Sequence, residues 1–162
     1  MRLTQWTDYS LRVLMYCAAC ESREQPVTIT EIADSHGISR SHLTKVVHQL
    51  GAHGLLDTTR GRGGGIRLCL PAAQIQVGAV VRQTETDFAM VECFDAASNT
   101  CCLSPQCRLK GVLRQATDAY LAVLDGITLA ELVAPSTKAA KTARTVAFPP
   151  TLAGRSRKPR EA

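Results

Sequence analysis

The chain has 162 residues, 45% of them hydrophobic, and a formal net charge of +5, enough for one domain with its own core. No apolar run approaches the length that spans a membrane, and Met1-Arg2-Leu3-Thr4 leads into a polar, amphipathic stretch instead of the apolar centre of a signal peptide. In the cytoplasm that this implies, thiols stay reduced, so the seven cysteines point to metal or redox chemistry before disulfides.

Residues 7–20 read as an amphipathic helix, with Leu11, Leu14 and Ala18 on one face and Trp6 ahead of them as an apolar anchor. Cys17 and Cys20 form a Cys-x-x-Cys inside it, but no strand precedes them as a thioredoxin-type motif requires, so both read as structural. Gln25-Pro26 breaks the helix. Thr28-Ile29-Thr30-Glu31 is a capping box opening a second helix, with Val27 and Ile32 as its hydrophobic staple, and this helix ends near His36-Gly37. A third opens at Ser39, stapled by Ile38 and Leu43, and runs to about Gly51. Leu55–Arg60 and Ile66–Leu70 read as two strands joined through a glycine-rich turn, with Cys69 a surface or packing residue in the second. Pro71–Thr84 is mixed, with a short helix around Val77–Arg82, and a cysteine-bearing loop follows.

Ser104-Pro105-Gln106-Cys107 then reads as a helix start, Ser104 being the N-cap and Pro105 the first helical residue, which places Cys107 in the first turn. Leu109, Leu113, Ala116, Tyr120, Val123 and Ile127 step by 4, 3, 4, 3 and 4, the seam of a packed helix pair. Thr128–Val133 adds a short helix. Beyond Pro135 the chain is Ala, Thr, Pro and basic residues, which reads as disordered. That tail carries seven basic residues and one acid, so residues 1–134 sum to −1 and the overall charge says little about nucleic acid.

Local charge says more. Between Ser39 and Arg67 there are five basic residues and one acid, Asp57. Thr28 to Leu50 fits a helix-turn-helix: Ala33 is small where the two helices approach, Gly37 suits the tight turn, and Ile38, Leu43 and Val46 bury one face. The opposite face, with Ser39, Arg40, Ser41, His42, Thr44, Lys45 and His48, can reach base edges and phosphates from a major groove, with Thr28 on the preceding cap beside it. The following ribbon makes this a winged helix. Its tip, with Arg60, Arg62, Gly63 and Gly64 and then Arg67, fits a minor groove or a phosphate backbone. A phosphate-binding loop at Gly61–Gly65 is the rival reading, but it lacks the Gly-Lys-Ser/Thr ending and leads into a strand. His36, His42, His48 and His53 read as DNA-facing or surface groups, and no catalytic constellation appears, so no enzyme is expected.

The cysteine loop has the opposite sign. Glu85, Asp87, Glu92 and Asp95 surround Cys93, Cys101, Cys102 and Cys107, with no basic residue between Arg82 and Arg108. A helix start at Cys107 favours a thiolate or an anionic metal–thiolate centre. Cys93, Cys101 and Cys107 are separated by seven and five residues, and thiolates on such a loop can converge on one centre. Zinc prefers paired short spacings, whereas an iron–sulfur cluster accepts irregular ones. Merely free cysteines, and a thiol–disulfide switch without metal, are the alternatives.

Taken in order, the helix-turn-helix, the wing Arg60-Gly61-Arg62-Gly63-Gly64-Gly65-Ile66-Arg67-Leu68 and the three cysteines resemble the winged-helix regulators of the Rrf2 family, and within it the nitric-oxide-sensing branch of repressors. Met1-Arg2-Leu3-Thr4, Thr7-Asp8-Tyr9, Cys107-Arg108-Leu109 and Leu129-Ala130-Glu131-Leu132-Val133 also carry the resemblance, which spans roughly residues 1–133. It implies a mainly α fold with a small β-wing: a winged helix-turn-helix DNA-binding domain (1–84), a cluster-binding loop (85–107), a dimerisation helix region (105–133) and a basic tail (134–162). It implies a homodimer on a palindromic DNA operator with one iron–sulfur cluster per subunit, of 4Fe–4S type before 2Fe–2S. The ligands would be Cys93, Cys101 and Cys107, with Cys102 as a substitute for Cys101 and Asp8 of the partner subunit as a fourth. Nitrosylation of the cluster would release DNA and derepress genes of nitric oxide detoxification. A sister branch carries a histidine ligand three residues after the last cysteine, where this chain has Lys110. A regulator sensing cluster supply, oxygen or peroxide, a small redox enzyme or cluster carrier using Cys17 and Cys20, which leaves the wing unexplained, and a zinc-stapled DNA-binding protein without sensing are the other readings.

Overall fold

The computed structural model describes residues 2–103 and 106–135. The expected tail therefore lies outside the described residues, as do Ser104 and Pro105. The elements run α1 (Gln5–Ala19), α2 (Ile29–His36), α3 (Arg40–Ala52), β1 (Leu56–Thr59), β2 (Gly65–Leu68), α4 (Val77–Thr84), α5 (Arg108–Asp125) and α6 (Leu129–Val133), with 3-10 turns at Ala72–Gln74 and Glu92–Phe94. This is the expected mainly α fold with a small wing. Among the described residues no helix is long and apolar enough to cross a membrane.

Helix α1 is the hub of the core. Val13 and Leu14 are fully buried, and the helix packs against α2, α3, α4, α6 and β2. It starts two residues earlier than its apolar spacing predicts, because the Thr4 hydroxyl accepts the Thr7 N–H at 3.2 Å and caps the first turn. At α2 the capping box is formed in both directions: the Thr28 N–H donates to Glu31 at 2.7 Å, and the Glu31 N–H donates to the Thr28 hydroxyl at 3.2 Å. Burial alone works against the Glu31 charge, but the Thr28 amide and the Arg23 guanidinium outweigh it and hold the carboxyl below its ordinary range. Gly37 then turns the chain at φ 64°, a conformation that costs a side-chain-bearing residue extra, and Ser39 caps α3.

The two strands pair antiparallel with Leu56 opposite Leu68 and Thr59 opposite Gly65. Both are shorter than expected, although the Cys69 N–H still reaches the Leu55 carbonyl at 3.1 Å. Val27 does more than staple α2. It exchanges two backbone hydrogen bonds with Ile66, at 3.1 and 2.7 Å, and so anchors the wing to the segment between α1 and α2. The guanidinium of Arg67 reinforces this joint by donating to the carbonyl oxygens of Arg23, at 3.1 Å, and Glu24.

Helix α4 is amphipathic, with Val77, Val80, Val81 and Thr84 buried. A two-point ion pair between Arg82 and Asp125, one contact at 2.7 Å, ties it to the end of α5. Helix α6 opens with a second capping box, Thr128 with Glu131, and buries Leu129 completely.

Helix α5 departs from expectation at its start. It begins at Arg108, and Cys107 stands outside it as the N-cap, with ψ 109° and no side-chain capping bond. That extended ψ is incompatible with a first-turn residue. The expected seam is split. Leu113, Tyr120 and Ile127 are half-buried, while Leu109 and Val123 are 60% and 69% exposed and Ala116 is open as well. Val112, 60% exposed, and Ala119 complete an apolar stripe at heptad spacing along the outer face of α5.

The core assignment makes a measurable prediction. Leu14→Ala, at the fully buried centre of α1, lowers the free energy of unfolding by about 3 kcal/mol in urea titration. Leu109→Ala, on the open face, leaves the intrinsic stability of the subunit within about 0.5 kcal/mol.

Candidate nucleic-acid interface and cysteine loop

The recognition face is built by three local devices. The α2 capping box fixes the entry to the helix-turn-helix, Gly37 sets the turn, and Ser39 starts α3 by accepting the His42 N–H at 3.4 Å. Leu43, Val46, Val47 and Leu50 bury one side of α3. That burial leaves Arg40, Ser41, His42, Thr44, Lys45 and His48 exposed together on the other. Thr28 and Ser39 are exposed too, but their hydroxyls serve the helix caps.

At the wing tip Arg60 and Arg62 are exposed on a turn in which Gly61 and Gly63 adopt φ 98° and 80°. A Cβ at Gly64 would stand 2.2 Å from the Thr59 carbonyl oxygen, so the hairpin closes only with glycine there. Arg67 belongs to the joint of the wing, since its guanidinium is bound to backbone carbonyls. His36, read from sequence as a DNA-facing or surface group, is half-buried with its ring edge-on to Tyr16 at 5.9 Å. Burial first, and Arg12 second, hold its pKa below the ordinary histidine value against the opposing pull of Asp8.

The cysteine loop joins α4 to α5. Cys93 is buried in the Glu92–Phe94 turn, Cys101 and Cys107 are half-buried, and Cys102 is exposed; all four thiols are free. The acids of the loop brace it. Glu92 accepts the Thr100 hydroxyl at 2.7 Å and its N–H at 2.5 Å, which holds the carboxyl below its ordinary range. Asp95 accepts the Ser98 hydroxyl at 2.7 Å, and Asn99 accepts the Cys101 N–H at 3.1 Å. Among the described residues no three His, Cys, Asp or Glu side chains stand close enough together to hold a metal ion. The loop therefore carries the thiols without gathering them. The donor set nevertheless suits an iron–sulfur cluster. It offers three soft sulfur ligands, one of them at the N-cap of an 18-residue helix whose first amides have no partner within the helix.

Asp8 lies in the first turn of α1 and pairs with Arg12 at 2.9 Å, both groups being half exposed. Three contacts around it were not anticipated from sequence. The Thr4 N–H donates to Glu85 at the head of the cysteine loop at 2.8 Å. The Gln5 side chain donates to the Tyr9 hydroxyl at 2.9 Å, and the Tyr9 ring lies 6.4 Å from that of His42 on the recognition helix. The i, i+4 spacing of Asp8 and Arg12 is a readable signal; Thr4–Glu85 and Tyr9–His42 join distant positions and have none.

Comparison with known proteins agrees with this geometry. Residues 3–135 match the Rrf2 family, described as iron-dependent transcriptional regulators. The HTH-type transcriptional regulator NsrR of Bacillus subtilis is 54% identical over 133 residues, which is 82% of this chain and 90% of that protein. Its namesake in Bacillus licheniformis is 52% identical, over 82% of this chain and 92% of its own length. Among solved structures, CymR (YrzC), the global cysteine regulator of B. subtilis, superposes with a TM-score of 0.68 at 26% identity, covering 82% of this chain and 96% of that one.

The two classes of arginine in the wing should separate experimentally. With Arg62→Ala, DNA affinity measured by fluorescence anisotropy falls, and the slope of log K against log salt flattens by about 1, as for one lost phosphate contact. With Arg67→Ala the salt slope is kept and the melting temperature falls, because that side chain holds the joint.

Proposed function

The chain belongs to the Rrf2 family of transcriptional regulators, and from that premise we propose that it is a cytoplasmic, homodimeric repressor that binds a palindromic operator and senses nitric oxide through an iron–sulfur cluster. The observation that carries the reading is the coincidence of a helix-turn-helix with an exposed basic face and a loop bearing Cys93, Cys101 and Cys107, in a chain about half identical to regulators named NsrR. Those three cysteines would hold the cluster, one per subunit, with Cys102 as the substitute for Cys101 and Asp8 of the partner subunit as the fourth ligand. A 4Fe–4S cluster is the first choice and 2Fe–2S the second. When bound, the cluster supplies iron atoms that react with nitric oxide.

The chain's own residues supply the coupling. Glu85 ties the head of the cysteine loop to Thr4, the cap of α1. One turn further on, Tyr9 leans on His42 of α3. A rearrangement of the loop thus pulls on the start of α1 and, through Tyr9, on the recognition helix. Asp8 adds a second lever, since it must give up Arg12 to serve another partner. On the DNA, α3 presents Arg40, Ser41, His42, Thr44, Lys45 and His48 to the major groove, with Thr28 and Ser39 at its flank. Arg60, Arg62, Gly63 and Gly64 present the wing, and Arg67 sets its angle. Two such faces must stand one DNA turn apart to read a palindrome, and the open stripe Leu109, Val112, Ala116, Ala119 and Val123 provides the pairing surface. A differential binding energy of only about 1.4 kcal/mol between the two states changes DNA affinity tenfold.

The test is to purify the protein without oxygen, measure iron and the visible spectrum, and titrate nitric oxide while following operator binding. A brown, iron-containing protein whose DNA affinity falls at least about tenfold is expected. Cys93→Ser and Cys107→Ser should each lose iron, as should Cys101→Ser combined with Cys102→Ser, while Cys102→Ser alone keeps it. A colourless, zinc-loaded protein indifferent to nitric oxide would overturn the sensing half of the proposal. The pairing surface is tested separately: Val123→Glu shifts the sedimentation profile to monomer and weakens operator binding.

A further inference from the structure

A cavity of about 300 Å³ lies between the end of α1, the segment leading to α2 and strand β2 of the wing. Three of the seven cysteines line it, Cys17, Cys20 and Cys69, and none of them belongs to the cysteine loop. They come from different elements, Cys17 from α1, Cys20 from its C-cap and Cys69 from the residue after β2. Their settings differ. Cys17 is buried, and burial first, with Cys20 second, pushes its pKa up to about 12, so it stays a thiol. Cys20 is half-buried, and the guanidinium of Arg23 donates to its sulfur at 3.8 Å. Arg23 is itself held by Glu31 at 3.1 Å, so the positive group is fixed in place. Cys69 is exposed at the cavity wall. Cys20 is thus a partly accessible sulfur that shares its cavity with a second, exposed thiol.

We propose that Cys20 is a thiol–disulfide exchange site for a low-molecular-weight disulfide, with Cys69 as the resolving thiol. In the first step the Cys20 thiolate attacks one sulfur of the small disulfide. The S–S bond breaks, a mixed disulfide forms on Cys20, and the other half leaves as a thiolate that takes up a proton. In the second step the Cys69 thiolate attacks the Cys20 sulfur and expels the remaining small thiol. Two protein thiols are oxidised and one small disulfide is reduced to two thiols.

The position gives the modification a consequence. The walls of the cavity are held together by the Val27–Ile66 hydrogen bonds and by Arg67 on the carbonyls of Arg23 and Glu24. A group on Cys20 occupies the space those bonds close over, and a bond to Cys69 draws α1 towards the end of β2. Either event moves the wing relative to α3 and lowers DNA affinity. The covalent step is independent of any cluster; its effect on DNA rests on the operator-binding reading above.

The experiment uses the full chain, purified without oxygen and with whatever metal it carries, and oxidised glutathione as the probe. Intact-mass spectrometry and peptide mapping should find a Cys20–Cys69 disulfide in the unmodified protein, a glutathione adduct on Cys20 in Cys69→Ser, and neither in Cys20→Ser. Operator affinity should fall several-fold in the first two, recover with a thiol reductant, and stay constant in Cys20→Ser. Glutathione found only on the loop cysteines overturns the site. An unresolved adduct on Cys20 in the unmodified protein overturns the role of Cys69, and a modified Cys20 with unchanged DNA affinity overturns the coupling to the wing.

Discussion

Everything in this fold depends on the burial of one helix. Val13 and Leu14 of α1 are closed off from solvent entirely, and α2, α3, α4, α6 and the wing strand all rest on that helix. A helix packed on so many sides behaves as a rigid rod, because a close-packed interior yields little to local pushes. Its two ends lie in different functional surroundings. At the N-terminal end are Glu85 of the cysteine loop and, through Tyr9, the recognition helix. At the C-terminal end are the joint of the wing and the thiol-lined cavity. An event at either end therefore has a short mechanical route to the surface that faces DNA. In this respect α1 is the common element of both proposed controls, and the core that stabilises the domain also links them.

The charge distribution follows the same division. The basic groups on α3 and at the wing tip are exposed and make few internal bonds, which leaves them available to phosphates. The acids of the cysteine loop are internally engaged, Glu92 with Thr100 and Asp95 with Ala97 and Ser98. Their negative charge thus shapes the loop by hydrogen bonding. Arginines in the wing divide by partner: those on the tip face solvent, and Arg67 faces carbonyl oxygens. Counting positive charge along the sequence could not make that distinction.

What could be read from sequence was what is decided within a few residues. The Thr28–Glu31 box, the Ser39 cap, the turn at Gly37 and the glycine-rich wing all depend on local spacing, and each stands where the pattern placed it. The start of α5 was misread because Ser104 and Pro105 imitate a helix entry, while the backbone at Cys107 is still extended. Thr4 was missed as a cap because the apolar periodicity begins only later. The Val27–Ile66 bridge, the Thr4–Glu85 bond and the gathering of Cys17, Cys20 and Cys69 around one cavity join residues about forty or more positions apart in most cases, and no local pattern records them. For the same reason the Cys-x-x-Cys at the end of α1 reads as merely structural until the cavity it shares with Cys69 is known.

The two features of α5 that look incomplete in a single subunit are connected through Cys107. The open apolar stripe begins at Leu109, two residues after that cysteine, and Cys107 is the residue from which the helix departs. Whatever positions α5 positions this thiol. A stripe with Leu109, Val112 and Val123 mostly exposed lowers its free energy by meeting another apolar face. Such a meeting would fix the N-terminus of α5, and with it one wall of the cysteine loop. On the proposed reading a subunit alone therefore need not gather its ligands. Pairing along α5 sets the frame into which Cys93 and Cys101 are drawn, and Asp8 of the partner subunit comes within the same assembly. Cluster binding and dimerisation are then thermodynamically linked. Each raises the affinity of the other by the same factor, as any two binding equilibria on one protein must.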